Sequence, residues 1–356
     1  MGKLNARQFI FIILGTSIVS FKTYPNIAIK YGKNDSWIAA IAASILIILL
    51  FIYILKISLK TNKFNLYEIY TDSCGDIIGN ILYVLLILTF FLTLVESSSV
   101  ESNSMHQNML LETPAWFLLI FFVVAAAYSV NKGLRPLVII TIIGIFFVML
   151  AGTNLSILTA SYKKNKYLYP ILANGFNKGL LLATVKSLGF YASIGLTLPY
   201  LNEIKNKKDL VTTSLVALII VIQMEVYSTI GIITTFGYER ALTIYYPKLL
   251  QTQMVSHFDF LESGELFVML QIIGGWFLKY CLSFYGLLKL LESFGNKSNL
   301  KAIIIISILV FIVSFFTSKN GFMLLTFLTY YNYISLINLL IIPALVFTIH
   351  GIKKWR

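Results

Sequence analysis

The chain has 356 residues, 58% of them hydrophobic and 12% charged, with a mean hydropathy of +0.83. Soluble domains carry roughly a quarter charged residues, so this composition excludes an ordinary water-soluble fold. The formal charge of +13 comes from 28 basic residues scattered thinly between apolar runs, which excludes a basic nucleic-acid-binding stripe and fits charge that sets membrane topology.

The first apolar run begins at Phe9 behind Lys3 and Arg7, as in a signal peptide. It continues past Lys22 without a small-residue cleavage site, so it reads as a retained first span. Crossing a hydrocarbon layer of about 30 Å takes roughly 20 helical residues. Runs of that kind predict ten spans, at 7–31, 36–59, 79–103, 114–131, 135–159, 179–202, 209–237, 266–291, 300–317 and 321–349. The fourth and ninth are short, and the tenth is long enough to tilt. Between spans, 60–78 and 238–265 read as amphipathic surface segments. Sixteen lysines and arginines fall on the side of the termini and nine on the other. The positive-inside rule therefore predicts both termini cytoplasmic, with the Lys163–Lys166 cluster in dissent. The expectation is an all-α polytopic membrane protein, one transmembrane domain over 1–356.

Glycine and proline inside a span suggest a break that lines a cavity, because lipid cannot satisfy free backbone groups. The first span reads Gly15-Thr16-Ser17-Ile18-Val19-Ser20-Phe21-Lys22-Thr23-Tyr24-Pro25. The sixth reads Gly189-Phe190-Tyr191-Ala192-Ser193-Ile194-Gly195-Leu196-Thr197-Leu198-Pro199. Both set Gly and Pro ten residues apart with Thr two before Pro, in spans that run in opposite directions. That is the pattern of a five-plus-five inverted repeat, here about 7–159 and 179–349, with a site at the bilayer midplane between two broken helices. Close helix packing at small residues is the alternative use of the same pattern. A break exposes amides at a helix start, which hold a carboxylate, and carbonyls at a helix end, which hold an ammonium or a cation. The pair therefore suits the zwitterionic end of an amino acid. The expected ligand-binding residues are Gly15, Thr16, Ser17 and Ile18 with Tyr191, Ala192, Ser193 and Gly195.

Ionisable residues within spans are costly and usually face an internal cavity. Glu96, Glu101, Lys186, Glu225 and Lys279 are of this kind, although Glu101 and Lys22 lie near enough to span ends to reach outward. Lys279, about midway along the eighth span, needs a carboxylate or carbonyl partner. Its ammonium either stands where a transporter would hold sodium, bridging the first and eighth spans, or pairs with Glu225. Burial makes either group of such a pair a candidate proton carrier. Glu96 and Trp276 are the expected contributors to side-chain selectivity. Enzyme chemistry finds no support, since His106, His257 and His350 are scattered and no ligand-spaced cluster or phosphate-binding loop occurs. Cys74 and Cys281 fall in different predicted environments, so no disulfide, metal or cofactor is expected.

With these features the chain resembles the spore-germination permease family, the GerAB-type B subunits of nutrient germinant receptors, within the amino acid–polyamine–organocation superfamily. The likeness runs over the whole chain. Locally it rests on an acidic connector, Phe258-Asp259-Phe260-Leu261-Glu262, followed by Trp276-Phe277-Leu278-Lys279. The family carries a Trp-x-x-Gly-x-Phe-x-Lys-like run there, whereas in this chain the glycines, Gly274 and Gly275, precede Trp276. The resemblance implies a LeuT-like fold in the inner membrane of the spore. It also implies partners, an A-type membrane subunit and a C-type lipoprotein, and a small nutrient, often an amino acid, whose binding starts germination. A proton- or sodium-coupled amino acid transporter is the alternative.

Overall fold

The computed structural model describes residues 4–173, 175–257, 261–262, 265–295 and 300–355, with the side chains at 256–266, 268 and 355 outside that description. Of the acidic connector, Phe258, Asp259 and Phe260 therefore lie outside the described residues, as do the side chains of Leu261 and Glu262.

Ten spans are present among the described residues. The first is in pieces, Ala6–Ser17, Ser20–Thr23 and Asn26–Gly32. The second to fifth are Ser36–Thr61, Asp76–Asn108, Ala115–Asn131 and Leu134–Leu158. The sixth joins an α-helix, Lys178–Tyr191, to a 3₁₀ stretch, Ala192–Glu203. The seventh to ninth are Leu210–Thr243, Glu265–Glu292 and Leu300–Ser318. The tenth runs from Gly321 to Trp355 through a π-helical turn, Leu336–Ile341. Seven helices are long and apolar enough to cross a membrane by length and composition. The broken first span, the 17-residue fourth and the eighth complete the set.

The surface is inverted relative to a soluble protein. Leu49, Ile77, Leu88, Phe121, Val124, Phe146, Ile157 and Phe316 are exposed, and the polar residues of the third span (Thr93, Glu96, Ser97, Ser98, Ser102, Asn103) are buried. That buried polar face ties the third span to the ninth through Ser98 Oγ and Ser314 Oγ (2.8 Å), Ser99 Oγ and Thr317 Oγ1 (2.6 Å), and Asn103 Nδ2 donating to the Ser318 carbonyl (3.1 Å). Small hydroxyl side chains both satisfy one another and let helices approach closely.

Connectors follow the expected outline with some revisions. Within 60–78, Leu66–Cys74 is a short helix that buries Leu66, Ile69 and Tyr70; Gly75, at φ +79°, turns the chain into the third span. Lys63 bridges Glu68 (3.3 Å) and Asp72 (2.8 Å), while Lys353 from the chain's end donates to the Asp72 carbonyl (3.1 Å). Within 238–265 the described part is the helix Pro247–Gln253 and a pair of two-residue antiparallel strands, Ser256–His257 and Leu261–Glu262. The seventh helix continues to Thr243, but Gly237, at φ +72°, kinks it where the sequence placed its end. At the N-terminus, Asn5 and Gln8 form a reciprocal cap (2.8 and 3.0 Å). Leu4 then pairs with the chain leaving the sixth span, its N–H donating to the Glu203 carbonyl (3.0 Å) and its carbonyl accepting from Lys205 (2.9 Å). The start of the first span and the end of the sixth are thus laced together on one face of the molecule.

Candidate functional site

The first span unwinds at Ile18–Val19, between Ser17 and Ser20, and again at Tyr24–Pro25, where proline cannot continue the helix. The short turn between these points, Ser20–Thr23, directs Ser20 and Tyr24 to one side, four residues apart. Both hydroxyls donate to Glu96 Oε1 of the third span, Ser20 at 3.0 Å and Tyr24 in a short hydrogen bond. Lys279 of the eighth span completes the cluster, its ammonium donating to Glu96 Oε2 (2.6 Å) and to Ser20 Oγ (2.6 Å). Glu96 is 0% and Lys279 1% exposed. A buried ion pair persists only where further hydrogen bonds satisfy its members, and Ser20 and Tyr24 supply them.

Aromatic rings enclose the pair. Tyr24 stacks on Trp276 (6.1 Å between centroids), Phe21 stacks on Phe190 of the sixth span (4.8 Å), and Tyr191 meets Phe21 edge-on (5.9 Å). The Lys279 ammonium lies 5.1 Å from the Trp276 ring centre and 5.9 Å from that of Tyr331, within cation–π range. Tyr331 itself bonds Thr93 (2.7 Å).

The sixth span changes winding instead of opening a gap. At Ala192 it passes from α to 3₁₀ for twelve residues, with Pro199 inside. Carbonyls near the end of the α part are met from the tenth span: Ser335 Oγ donates to the Gly189 carbonyl (2.8 Å) and Asn332 Nδ2 to that of Lys186 (3.0 Å). Between the breaks is a small cavity bounded by Ser20, Tyr24, Glu96, Phe190, Ser193, Lys279, Tyr331 and Asn332, leaving water centres about 10 Å³. That is room for about one water molecule, so the site is closed in this conformation.

Of the sequence-predicted residues, Glu96, Lys279 and Ser193 line this cavity, and Trp276 stacks on its wall. Ser193 Oγ is turned to the Phe190 carbonyl (2.8 Å). Gly15 lies behind the break, where a Cβ would come within 2.7 Å of Leu282 and 3.1 Å of Thr141, and Gly195 packs on the Leu339 carbonyl of the tenth span. Thr16 returns its hydroxyl to the Ile12 and Ile13 carbonyls (2.9 and 3.1 Å), with Ser17 Oγ 3.4 Å away. Ile18 lines a separate small cavity with Lys22 and Lys248. Lys279 bridges the eighth span to the first through Ser20, as one of the two expectations had it, and its carboxylate partner is Glu96 and not Glu225. Both Glu225 oxygens are buried without a hydrogen-bond partner among the described residues. Ser20, Tyr24, Phe190, Tyr331 and Asn332 were missed. The signal for the first two was their i, i+4 spacing beyond the break. Gly275, in the diglycine preceding Trp276, is where the eighth span meets the first break: a Cβ there would sit 3.0 Å from Val19.

Comparison with known proteins places the chain. The family profile described as "Spore germination protein" matches residues 3–350. The chain belongs to the spore germination protein family. Similar members include spore germination protein XB of Bacillus anthracis, 22% identical over 87% of both chains. Spore germination proteins A2 and YndE of Bacillus subtilis are 24% and 23% identical, over 99% and 100% of this chain and 96% and 97% of theirs. Among solved structures the fold is similar to that of MhsT in complex with L-phenylalanine (TM-score 0.68, 12% identity, 96% of this chain and 87% of MhsT). It is also similar to a manganese transporter of Eremococcus coleocola (TM-score 0.65, 16% identity, 96% and 78%). The fold is therefore the LeuT-like five-plus-five arrangement with the first and sixth helices interrupted, and this member of the spore germination family is a multi-pass protein of the spore.

Proposed function

We propose that this family member is the B-type membrane subunit of a nutrient germinant receptor in the spore inner membrane, with both termini cytoplasmic. It binds an amino acid between the breaks of the first and sixth spans and signals to A-type and C-type partner subunits. The observation that carries the ligand class is the Glu96–Lys279 pair between those breaks. A zwitterion entering the cavity can exchange one internal ion pair for two: its carboxylate meets the Lys279 ammonium and its ammonium meets Glu96, aided by the unpartnered Asn332 Oδ1. Neither protein charge is then left bare, which is the condition for a buried charge to survive ligand entry. The surrounding rings of Phe21, Tyr24, Phe190 and Trp276 suit an apolar side chain. Among the breaks' own residues, Ser17, Ile18 and Ser193 contribute mainly backbone.

Because the site is closed around its own ion pair, ligand entry requires a more open state, and the nutrient shifts the equilibrium between states by its differential affinity for them. That shift is what partner subunits would feel. The transporter reading, an amino acid moved with a proton or sodium ion, is favoured by the fold shared with MhsT and the manganese transporter.

Spores lacking the gene, scored against a panel of amino acids and a non-nutrient trigger, separate the two readings. Loss of response to particular amino acids with the non-nutrient response intact is expected for the receptor. Normal germination on every nutrient in a strain without other receptors, together with uptake by proteoliposomes, would replace it with the transporter.

A further inference from the structure

A second cavity, of about 330 Å³, opens between the fifth and seventh spans on the half of the membrane section away from the termini. Three ammonium groups from three different elements converge on it. Lys22 of the first span and Lys248 of the Pro247–Gln253 helix line it. Lys163, from the connector after the fifth span, closes its rim by donating to Tyr227 OH (3.2 Å) and the Ser156 carbonyl (3.4 Å), both wall residues.

None of the three lysines is in an ion pair among the described residues. Lys248, only 8% exposed, donates to the neutral Gln251 (2.8 Å), and it lies near enough to Lys22 and Lys163 for the like charges to act on one another. Glu225 acts on Lys22 from behind the wall without bonding it, so three basic side chains face one acidic one. Ser228 in the wall has a buried hydroxyl with no partner. A cluster of like charges in a partly desolvated cavity, with unused donors beside it, is complementary to an anion.

We propose that this cavity is a second binding site, separate from the Glu96–Lys279 centre, for one phosphate or carboxylate group. The apolar part of the wall, Met149, Ile220 and Met224, accepts a short carbon chain attached to that group. Because the cavity opens between two spans, a lipid phosphate and a dissolved anion present the same chemistry to it. A neighbouring small cavity shares Lys22, Lys248 and Gln271 with it and reaches Ile18 and Val19 at the first break. The proposal holds whether the protein senses or transports.

The test is thermal unfolding of the whole protein in phosphatidylcholine nanodiscs. One arm titrates inorganic phosphate against sodium chloride of equal ionic strength, and the other replaces part of the lipid by phosphatidylglycerol. A Tm rise of about 2–4 °C is expected, absent with chloride and lost in Lys22→Met and Lys248→Gln. Lys163→Met, at the rim, guards against misfolding of the buried variant and should weaken the half-saturating concentration roughly tenfold, as expected for one charge-assisted hydrogen bond. A rise with phosphate assigns a dissolved anion, and a rise with phosphatidylglycerol alone assigns a lipid headgroup. No rise in either arm, or one undiminished in all three variants, overturns the proposal.

Discussion

Glu96 and Lys279 are each buried to within 1% of complete exclusion from water, and each is tolerable there only because of the other. Replacing one member, Glu96→Gln or Lys279→Met, leaves an uncompensated charge and is expected to cost about 3–5 kcal/mol, read as a fall in Tm. Combining the two substitutions removes both charges and should recover most of that loss, while the nutrient response stays absent in all three variants. A double variant no more stable than the singles would mean that the pair does not hold this region together. The sequence made both residues conspicuous, because an ionisable group in an apolar run stands out. From the sequence the only carboxylate named for Lys279 was Glu225, and Glu96 meets it instead. The choice depends on how the third and seventh helices are rotated against the eighth, and one residue of register turns a helix face by about 100°.

The breaks are properties of elements in pairs. In the tenth span, Pro343 has no N–H to give the Leu339 carbonyl, and the preceding turn widens to a π-helix over Leu336–Ile341. The carbonyl so released faces Gly195 in the 3₁₀ stretch of the sixth span, where a Cβ would also fall 2.9 Å from Leu339 Cβ. Gly195→Ala is therefore expected to destabilise by about 1–3 kcal/mol and to blunt the nutrient response. Gly231→Ala in the seventh span, whose nearest neighbour to a new Cβ is the flexible end of Lys163 at 3.8 Å, should be neutral or slightly stabilising. Equal Tm values for the two variants would separate Gly195 from the break. The sixth-span break was legible from its glycines and proline, but its form was not: whether a helix opens or rewinds depends on which neighbour satisfies the freed carbonyls. Here Ser335 meets the Gly189 carbonyl at the change of winding, from a residue 146 positions away. Pro343 was the readable signal of the matching irregularity.

Ten crossings place both ends of the molecule on one face, where Leu4 pairs with the chain at Glu203–Lys205 and Lys353 reaches Asp72. The orientation proposed above predicts the reactivity of single cysteines introduced at exposed loop positions once the two native thiols are removed by Cys74→Ser and Cys281→Ser. Asn165→Cys, on the far face, should react with a membrane-impermeant maleimide in intact cells, and Asn206→Cys only after permeabilisation. The reverse pattern would invert the molecule in the membrane and move the 330 Å³ cavity to the cytoplasmic half.

What the sequence determined by itself was whatever depends on local composition and period. The number of spans follows from apolar length against hydrocarbon thickness, the interrupted helices from glycine and proline within apolar runs, and the costly charges from their rarity in such runs. The tertiary structure alone decided which of those features share a cavity. It brought Ser20 and Tyr24 onto Glu96, set Lys279 beside them, placed Gly15 and Gly195 in packing contacts away from the site, and gathered Lys22, Lys163 and Lys248 around a second cavity. Each of these depends on the mutual rotation and depth of helices far apart in the chain, which are fixed by the summed packing of whole helix faces, and no local pattern in a single helix encodes that sum.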